Sequence, residues 1–141
     1  MALEIFCTIN GIGAASGIVC HEDSLYLVSD TSTLLYRYDI NDKQLHRILL
    51  NESGDERMLK KDKPDFEILT RAGDDLFLMG SGSTPKRNRQ VMYNLISKEF
   101  KTNDLSALYQ QFKASASLTD DELNLEGAFF HDEKWYYFQR G

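Results

Sequence analysis

Leu25-Tyr26-Leu27-Val28-Ser29-Asp30 sets four large apolar residues ahead of a polar pair, and the scheme returns as Leu76-Phe77-Leu78-Met79-Gly80-Ser81 and as Trp135-Tyr136-Tyr137-Phe138-Gln139-Arg140. Four apolar residues in a row without alternation predict a strand covered on both faces. Each run follows a polar turn, at His21 to Ser24, Arg71 to Asp75 and His131 to Lys134, and each turn follows a shorter apolar stretch that opens on a small or acidic residue. The three segments 16–30, 66–82 and 126–141 therefore share one strand-turn-strand plan.

The downstream halves of the first two copies also match. Tyr38-Asp39-Ile40-Asn41-Asp42-Lys43-Gln44-Leu45 corresponds to Tyr93-Asn94-Leu95-Ile96-Ser97-Lys98-Glu99-Phe100. Leu34, Tyr36, Tyr38 and Ile40 alternate with Arg37 and Asp39, the period of a half-buried strand, and the Asn41-Asp42 and Ser97-Lys98 pairs suit reversals into a fourth strand. Leu25 and Leu76 lie 51 positions apart and Tyr38 and Tyr93 lie 55 apart, which places a four-residue insertion near Pro85 to Asn88. This spacing predicts four-stranded propeller blades of roughly 40 to 50 residues.

The expected fold class is all-β: a partial β-propeller of about two and a half blades, with repeats near 16–50, 65–103 and 125–141 in one domain spanning 1–141. Between the second and third copies, Leu105, Leu108, Tyr109 and Phe112 recur at helical spacing behind Asp104, a predicted N-cap for one short inserted helix. Thr119 with Glu122 fits either a capping box or an acidic loop. The polar stretch from Asn51 to Pro64 reads as an inter-blade loop, since the repeat resumes directly after it. The third copy reaches Gly141 after its second strand, so the expectation is a truncated chain, or self-association through unpaired strand edges.

Composition narrows the function classes. A hydrophobic fraction of 42% over 141 residues suits a folded domain, which argues against disorder. Sixteen basic residues against 22 acidic ones give a net charge of -6, which repels a phosphate backbone and makes nucleic acid a poor partner. Residues 1–16 hold no Lys or Arg and carry Glu4 and Asn10, a poor secretory signal, and no segment holds the roughly 18 apolar residues of a membrane span. The expectation is a soluble, cytoplasmic protein with no membrane partner. Cys7 and Cys20 lack metal-ligand spacing and read as buried, unreactive thiols.

The ordered set Ser16-Gly17-Ile18, Leu25 to Asp30, Lys63-Pro64-Asp65-Phe66-Glu67, Gly80 to Thr84 with Arg87-Asn88, Leu125-Glu126-Gly127-Ala128 and Arg140-Gly141 resembles a bacterial propeller group of unknown function, related to the phytase-like and SdiA-regulated propeller families. In phytase-like relatives, acidic residues at blade starts face a central channel. The resemblance thus implies Glu67 and Glu126 as channel acids, and Ser16 departs from the pattern.

Read from the residues, Glu67 and Glu126 stand at matching positions where an apolar strand begins, and a carboxylate there needs a partner. If both line one channel they are metal ligands for a hard cation such as Ca²⁺; otherwise they accept structural hydrogen bonds. Gly80 to Arg89 combines glycines, Ser81, Ser83, Thr84 and the cations Lys86, Arg87 and Arg89, a composition that binds phosphate or carboxylate, although it lacks P-loop spacing. Asp30, Ser81 and Arg140 end equivalent strands, and Asp65 precedes Glu67 by two. The ligand-binding candidates are therefore Asp30, Asp65, Glu67, Ser81, Ser83, Arg87, Glu126 and Arg140. No Ser, His and Asp set with a nucleophile elbow is present. Three functions remain open: binding of a small anionic or sugar-like molecule at a central channel, Ca²⁺-assisted phosphoester hydrolysis, and a protein-interaction scaffold.

Overall fold

The computed structural model describes residues 1–50 and 64–141, so the loop expected from Asn51 to Pro64 lies outside the described residues apart from Pro64. The chain is mostly β. A first sheet runs in chain order through β1 (Ala15–His21), β2 (Ser24–Ser29), β3 (Leu34–Asp39) and β4 (Gln44–Leu49). A second repeats that order with β5 (Phe66–Ala72), β6 (Asp75–Gly80), β7 (Arg89–Asn94) and β8 (Phe100–Asp104). A third is the hairpin of β9 (Leu125–His131) and β10 (Lys134–Gln139), and all three sheets are antiparallel. Among the described residues one α-helix, α1 (Ser106–Ala116), joins the second sheet to the hairpin, and a 3-10 turn at Pro85–Arg87 fills the insertion expected there.

Local chemistry explains the turns. Two residues separate the paired strands at each leading hairpin: Glu22-Asp23, Gly73-Asp74 and Asp132-Glu133. Glu22, Gly73, Asp132 and Glu133 take positive φ, the backbone that tight hairpins demand. At the later reversals the short polar side chain makes the turn. Asp39 Oδ1 accepts the N–H groups of Asn41 and Asp42, each at 3.0 Å, and Asn94 Oδ1 accepts those of Ile96 at 3.0 Å and Ser97 at 2.8 Å. Lys43 and Lys98 then follow with left-handed backbone in both sheets. The matched Tyr-Asx segments are thus matched Asx turns.

The continuous apolar runs have a direct cause: alternate residues serve different interfaces. Leu76 and Leu78 point into the layer between the first two sheets, with Val28, Leu35, Phe66 and Val91. Phe77 and Met79 point the other way, to Ile68, Tyr109, Leu123, Leu125, Trp135 and Tyr137. Phe77 meets Trp135 edge to face at 4.9 Å. β5 accordingly lies between β1 and β2 on one side and β9 on the other.

One expectation holds in part and one is corrected. Leu34, Tyr36, Tyr38 and Ile40 share one apolar face along β3 while Arg37 and Asp39 are only partly covered, but Leu35 on their side is fully buried against the second sheet. Cys20 is exposed and Cys7 half-buried, because β1 is an edge strand whose Ile18 and Cys20 share an incompletely covered face. The inserted helix forms where expected, but its N-cap is Leu105 rather than Asp104, which closes β8 and accepts the N–H of the first helical residue, Ser106, on Oδ1 at 2.8 Å. Glu122 accepts the Thr119 N–H at 2.6 Å, but within a turn rather than a helix. Among the described residues no helix is long and apolar enough to cross a membrane.

At Gly80 the backbones of three segments approach closely. A Cβ there would collide with the carbonyl oxygen of Arg87 and lie 2.8 Å from that of Pro64, and neither is a side chain that can swing away. The Gly80 carbonyl in turn accepts the buried Tyr109 hydroxyl at 2.8 Å, tying α1 to the end of β6. Gly80→Ala is expected to destabilise the chain by about 1–3 kcal/mol, as overpacking does. Urea unfolding checks this, and an unchanged midpoint would refute the close approach.

Candidate functional site

Each leading strand begins with a β-bulge, and the bulge aims the candidate side chain. The ladder of β1 with β2 skips Ser16, that of β5 with β6 skips Glu67, and that of β9 with β10 skips Glu126. A bulged residue leaves the in-out alternation of its strand and turns its side chain away from the apolar layers. This is how an acid can open an apolar strand without lying in the core. Ser16 uses its position structurally: its hydroxyl donates to the Phe66 carbonyl at 2.6 Å, joining the first sheet to the second.

Around Glu67 the structure assembles residues far apart in sequence. Asp30 at the end of β2, Asp65 ahead of β5 and Glu67 each present a carboxylate oxygen, and these three oxygens lie within 4.8 Å of one another. Asp65 has a positive φ, 50°, a conformation that Asp tolerates better than most residues. Its carboxylate pairs with Arg87 at 2.8 Å, and the other arm of Arg87 donates to Ser83 Oγ at 2.8 Å. Ser83 Oγ is 3.0 Å from the hydroxyl of the buried Ser81. Asp30 Oδ1 is buried and has no hydrogen-bond partner among the described residues. That is costly for a carboxylate unless a donor or cation faces it.

Electrostatics single out Glu67. Burial raises its carboxyl above the ordinary 4.5, and the charges of Asp65, Glu126 and Asp30 raise it further, against the opposing pull of Arg87. Glu126 acts on Glu67 through its charge but does not join the cluster of three. It accepts hydrogen bonds from Asn124 Nδ2 at 2.9 Å and from Arg140 at 3.1 Å. Asp30, Asp65 and Glu67 therefore meet directly, Ser81, Ser83 and Arg87 join them through Asp65, and Glu126 with Arg140 forms a neighbouring exposed ion pair. Of the pair expected to hold a metal, only Glu67 belongs to the cluster of three carboxylates, with Asp30 and Asp65 as its companions. Sequence reading missed Asn124, whose signal was an amide two residues before Glu126. The open recess bordered by Pro85, Lys86, Asn88, Arg89 and Asp104 includes none of the candidate residues.

Oxygen donors at this spacing suit a hard cation. The fold and site thus define a mostly-β chain of antiparallel sheets carrying a carboxylate cluster beside an arginine. Over residues 11–141 the sequence matches the Family of unknown function (DUF6929), and the chain belongs to that family. No curated protein matches it.

A raised carboxyl fixes the sign of its pH effect. Glu67 favours folding when protonated, below 4.5, and that contribution disappears as pH rises through the elevated folded value. In chelator, Glu67→Gln is expected to raise the melting temperature at pH 8, with the gain over wild type shrinking toward pH 4. Thermal unfolding across that range reads the effect, and a melting temperature at pH 8 below wild type would contradict it.

Proposed function

We propose that the three sheets are successive blades of a β-propeller and that the chain is a binding module. In this reading Asp30, Asp65 and Glu67 hold a divalent hard cation, with Ca²⁺ the candidate, which recruits a small anionic or sugar-like molecule beside Arg87. The observation that carries it is the buried Asp30 Oδ1, which lacks a hydrogen-bond partner among the described residues and belongs to a group of three carboxylates. An anion alone would meet three negative charges; a bound cation reverses the local sign and leaves coordination positions for ligand oxygens. Arg87, already turned toward Asp65, adds a planar donor for a carboxylate or phosphate.

The propeller reading draws support from the equivalent bulges at Ser16, Glu67 and Glu126 and from the order in which β1, β5 and β9 neighbour one another. Kinship with phytase-like propellers belongs to the same proposal. It would make Ca²⁺-assisted phosphoester hydrolysis the alternative use of this site, with Arg87 steadying the phosphoryl charge.

Calcium titration with thermal unfolding and calorimetry tests the reading. Wild-type protein should be stabilised by about 2.7 kcal/mol when free Ca²⁺ reaches a hundred times its dissociation constant. Asp30→Asn, nearly isosteric, should remove most of that gain, and inorganic phosphate should bind wild type more tightly with Ca²⁺ than with chelator. Equal stabilisation of wild type and Asp30→Asn would reject the site. Calcium-dependent turnover of p-nitrophenyl phosphate would favour the hydrolytic alternative.

A further inference from the structure

The Pro85–Arg87 turn serves two places. Arg87 pairs with Asp65, whereas its neighbours Lys86 and Asn88 line the open recess, which holds about 590 Å³ and includes none of the residues of the carboxylate cluster. That volume falls within the range of about 300–1,000 Å³ usual for small-molecule sites.

Hydrogen bonding among the lining residues leaves one acceptor and one cation over. Ser106 gives its N–H to Asp104 Oδ1 at 2.8 Å and its hydroxyl to the same side chain, which holds the Asp104 carboxyl below the ordinary 3.8. A hydroxyl whose one proton is spent can only accept from its other neighbour, and Asn88 Nδ2 donates to it at 3.3 Å. That chain of bonds fixes the orientation of the Asn88 amide and makes Oδ1 its spare atom. Asn88 Oδ1 is buried and has no hydrogen-bond partner among the described residues, a costly state for an acceptor unless a donor reaches it. The backbone of Asn88 is held too, its N–H donating to the Pro85 carbonyl at 3.3 Å and its carbonyl accepting the Leu105 N–H at 2.7 Å. Arg89 stands directly opposite Asp104 in the ladder of β7 with β8, yet among the described residues the two form no ion pair, and the exposed Arg89 side chain makes no hydrogen bond.

We infer that the recess binds a phosphorylated sugar or polyol, with Lys86 and Arg89 taking the phosphate and Asn88 Oδ1 accepting a sugar hydroxyl. Each part of the ligand answers one surplus: a neutral sugar would leave the Arg89 charge unused, and inorganic phosphate would bring no hydroxyl to Asn88. Two cations suit a phosphate dianion better than a single carboxylate. They outnumber Asp104 here, so the recess is locally basic in a chain of net charge -6. The start of α1 is not the seat of the anion, because the Ser106 N–H is already taken by Asp104. This site goes beyond the proposed cation site, shares no residue with it and needs no metal.

Calorimetric titration in excess EDTA tests the inference, with glucose 6-phosphate as the probe and glucose and inorganic phosphate as separate arms. Wild type should bind glucose 6-phosphate at least tenfold more tightly than either fragment. Arg89→Met keeps the aliphatic stem of an exposed residue, so the variant should melt as wild type does and bind the probe about tenfold more weakly, the scale of one charge-assisted hydrogen bond. Asn88→Ala should lower the affinity for glucose 6-phosphate toward that for inorganic phosphate. Asp30→Asn should bind the probe as wild type does, which separates this site from the carboxylate cluster. As a readout that needs no substitution, the backbone amide NMR signals of Asn88, Asn103 and Ser106 in wild type should move during the titration. No binding, no preference over inorganic phosphate, an unchanged affinity in Arg89→Met, a loss in Asp30→Asn or unmoved signals at Asn88 and Ser106 would each overturn the inference, and the calcium titration stands or falls separately.

Discussion

The face-to-face packing of the first two sheets is the constraint from which the site follows. Val28, Leu35, Leu76 and Leu78 fill the layer between them without measurable exposure. A layer that tight fixes the separation and stagger of β1, β2 and β5. Because Asp30 lies just past β2 while Asp65 and Glu67 flank the start of β5, the same layer fixes how closely the three carboxylates approach. Apolar packing here holds like charges together that would separate if free.

The bulges convert that packing into chemistry. Strand alternation alone would leave an acid at the start of β5 either in the apolar layer or on the wrong side of it. Skipping one residue in the ladder releases Glu67 from both faces, and the same device releases Ser16 and Glu126. The three released residues then differ by type. Ser16 ties two sheets by a hydrogen bond, Glu126 pairs with Arg140 and accepts a hydrogen bond from Asn124, and Glu67 lies among carboxylates with its proton held more tightly than usual. One backbone device thus yields a strut, an ion pair and an electrostatically strained acid.

Close backbone approach around Gly80 supports the other side of the site. The Arg87 carbonyl accepts the Gly82 N–H at 3.1 Å, and Tyr109 reaches in from α1 to the Gly80 carbonyl. These contacts seat the Pro85–Arg87 turn so that the Arg87 guanidinium bridges Asp65 and Ser83. The insertion that distinguishes the second sheet from the first therefore supplies the site's cation.

Strand positions, hairpin tips, the reversals at Asn41-Asp42 and Ser97-Lys98 and the helix behind Asp104 were legible in the sequence, because each depends on neighbours within a few residues: apolar runs, polar pairs at a reversal, a helical stripe of apolar residues. The candidate list was legible as residue types at equivalent positions, down to Asp30, Asp65, Glu67 and Arg87. Which of them meet was not. Glu67 and Glu126 look identical in sequence, and only tertiary structure separates them, because Arg140 and Asn124 reach one while Asp30 and Asp65 reach the other. Likewise Leu35, Ile18 and Phe138 carry similar apolar character, and burial of the first and exposure of the others depend on which sheet has a neighbour on that face. Local hydrogen bonding and side-chain period fix an element from within; the approach of charges and the covering of faces are set by segments distant in the chain, which no local pattern encodes.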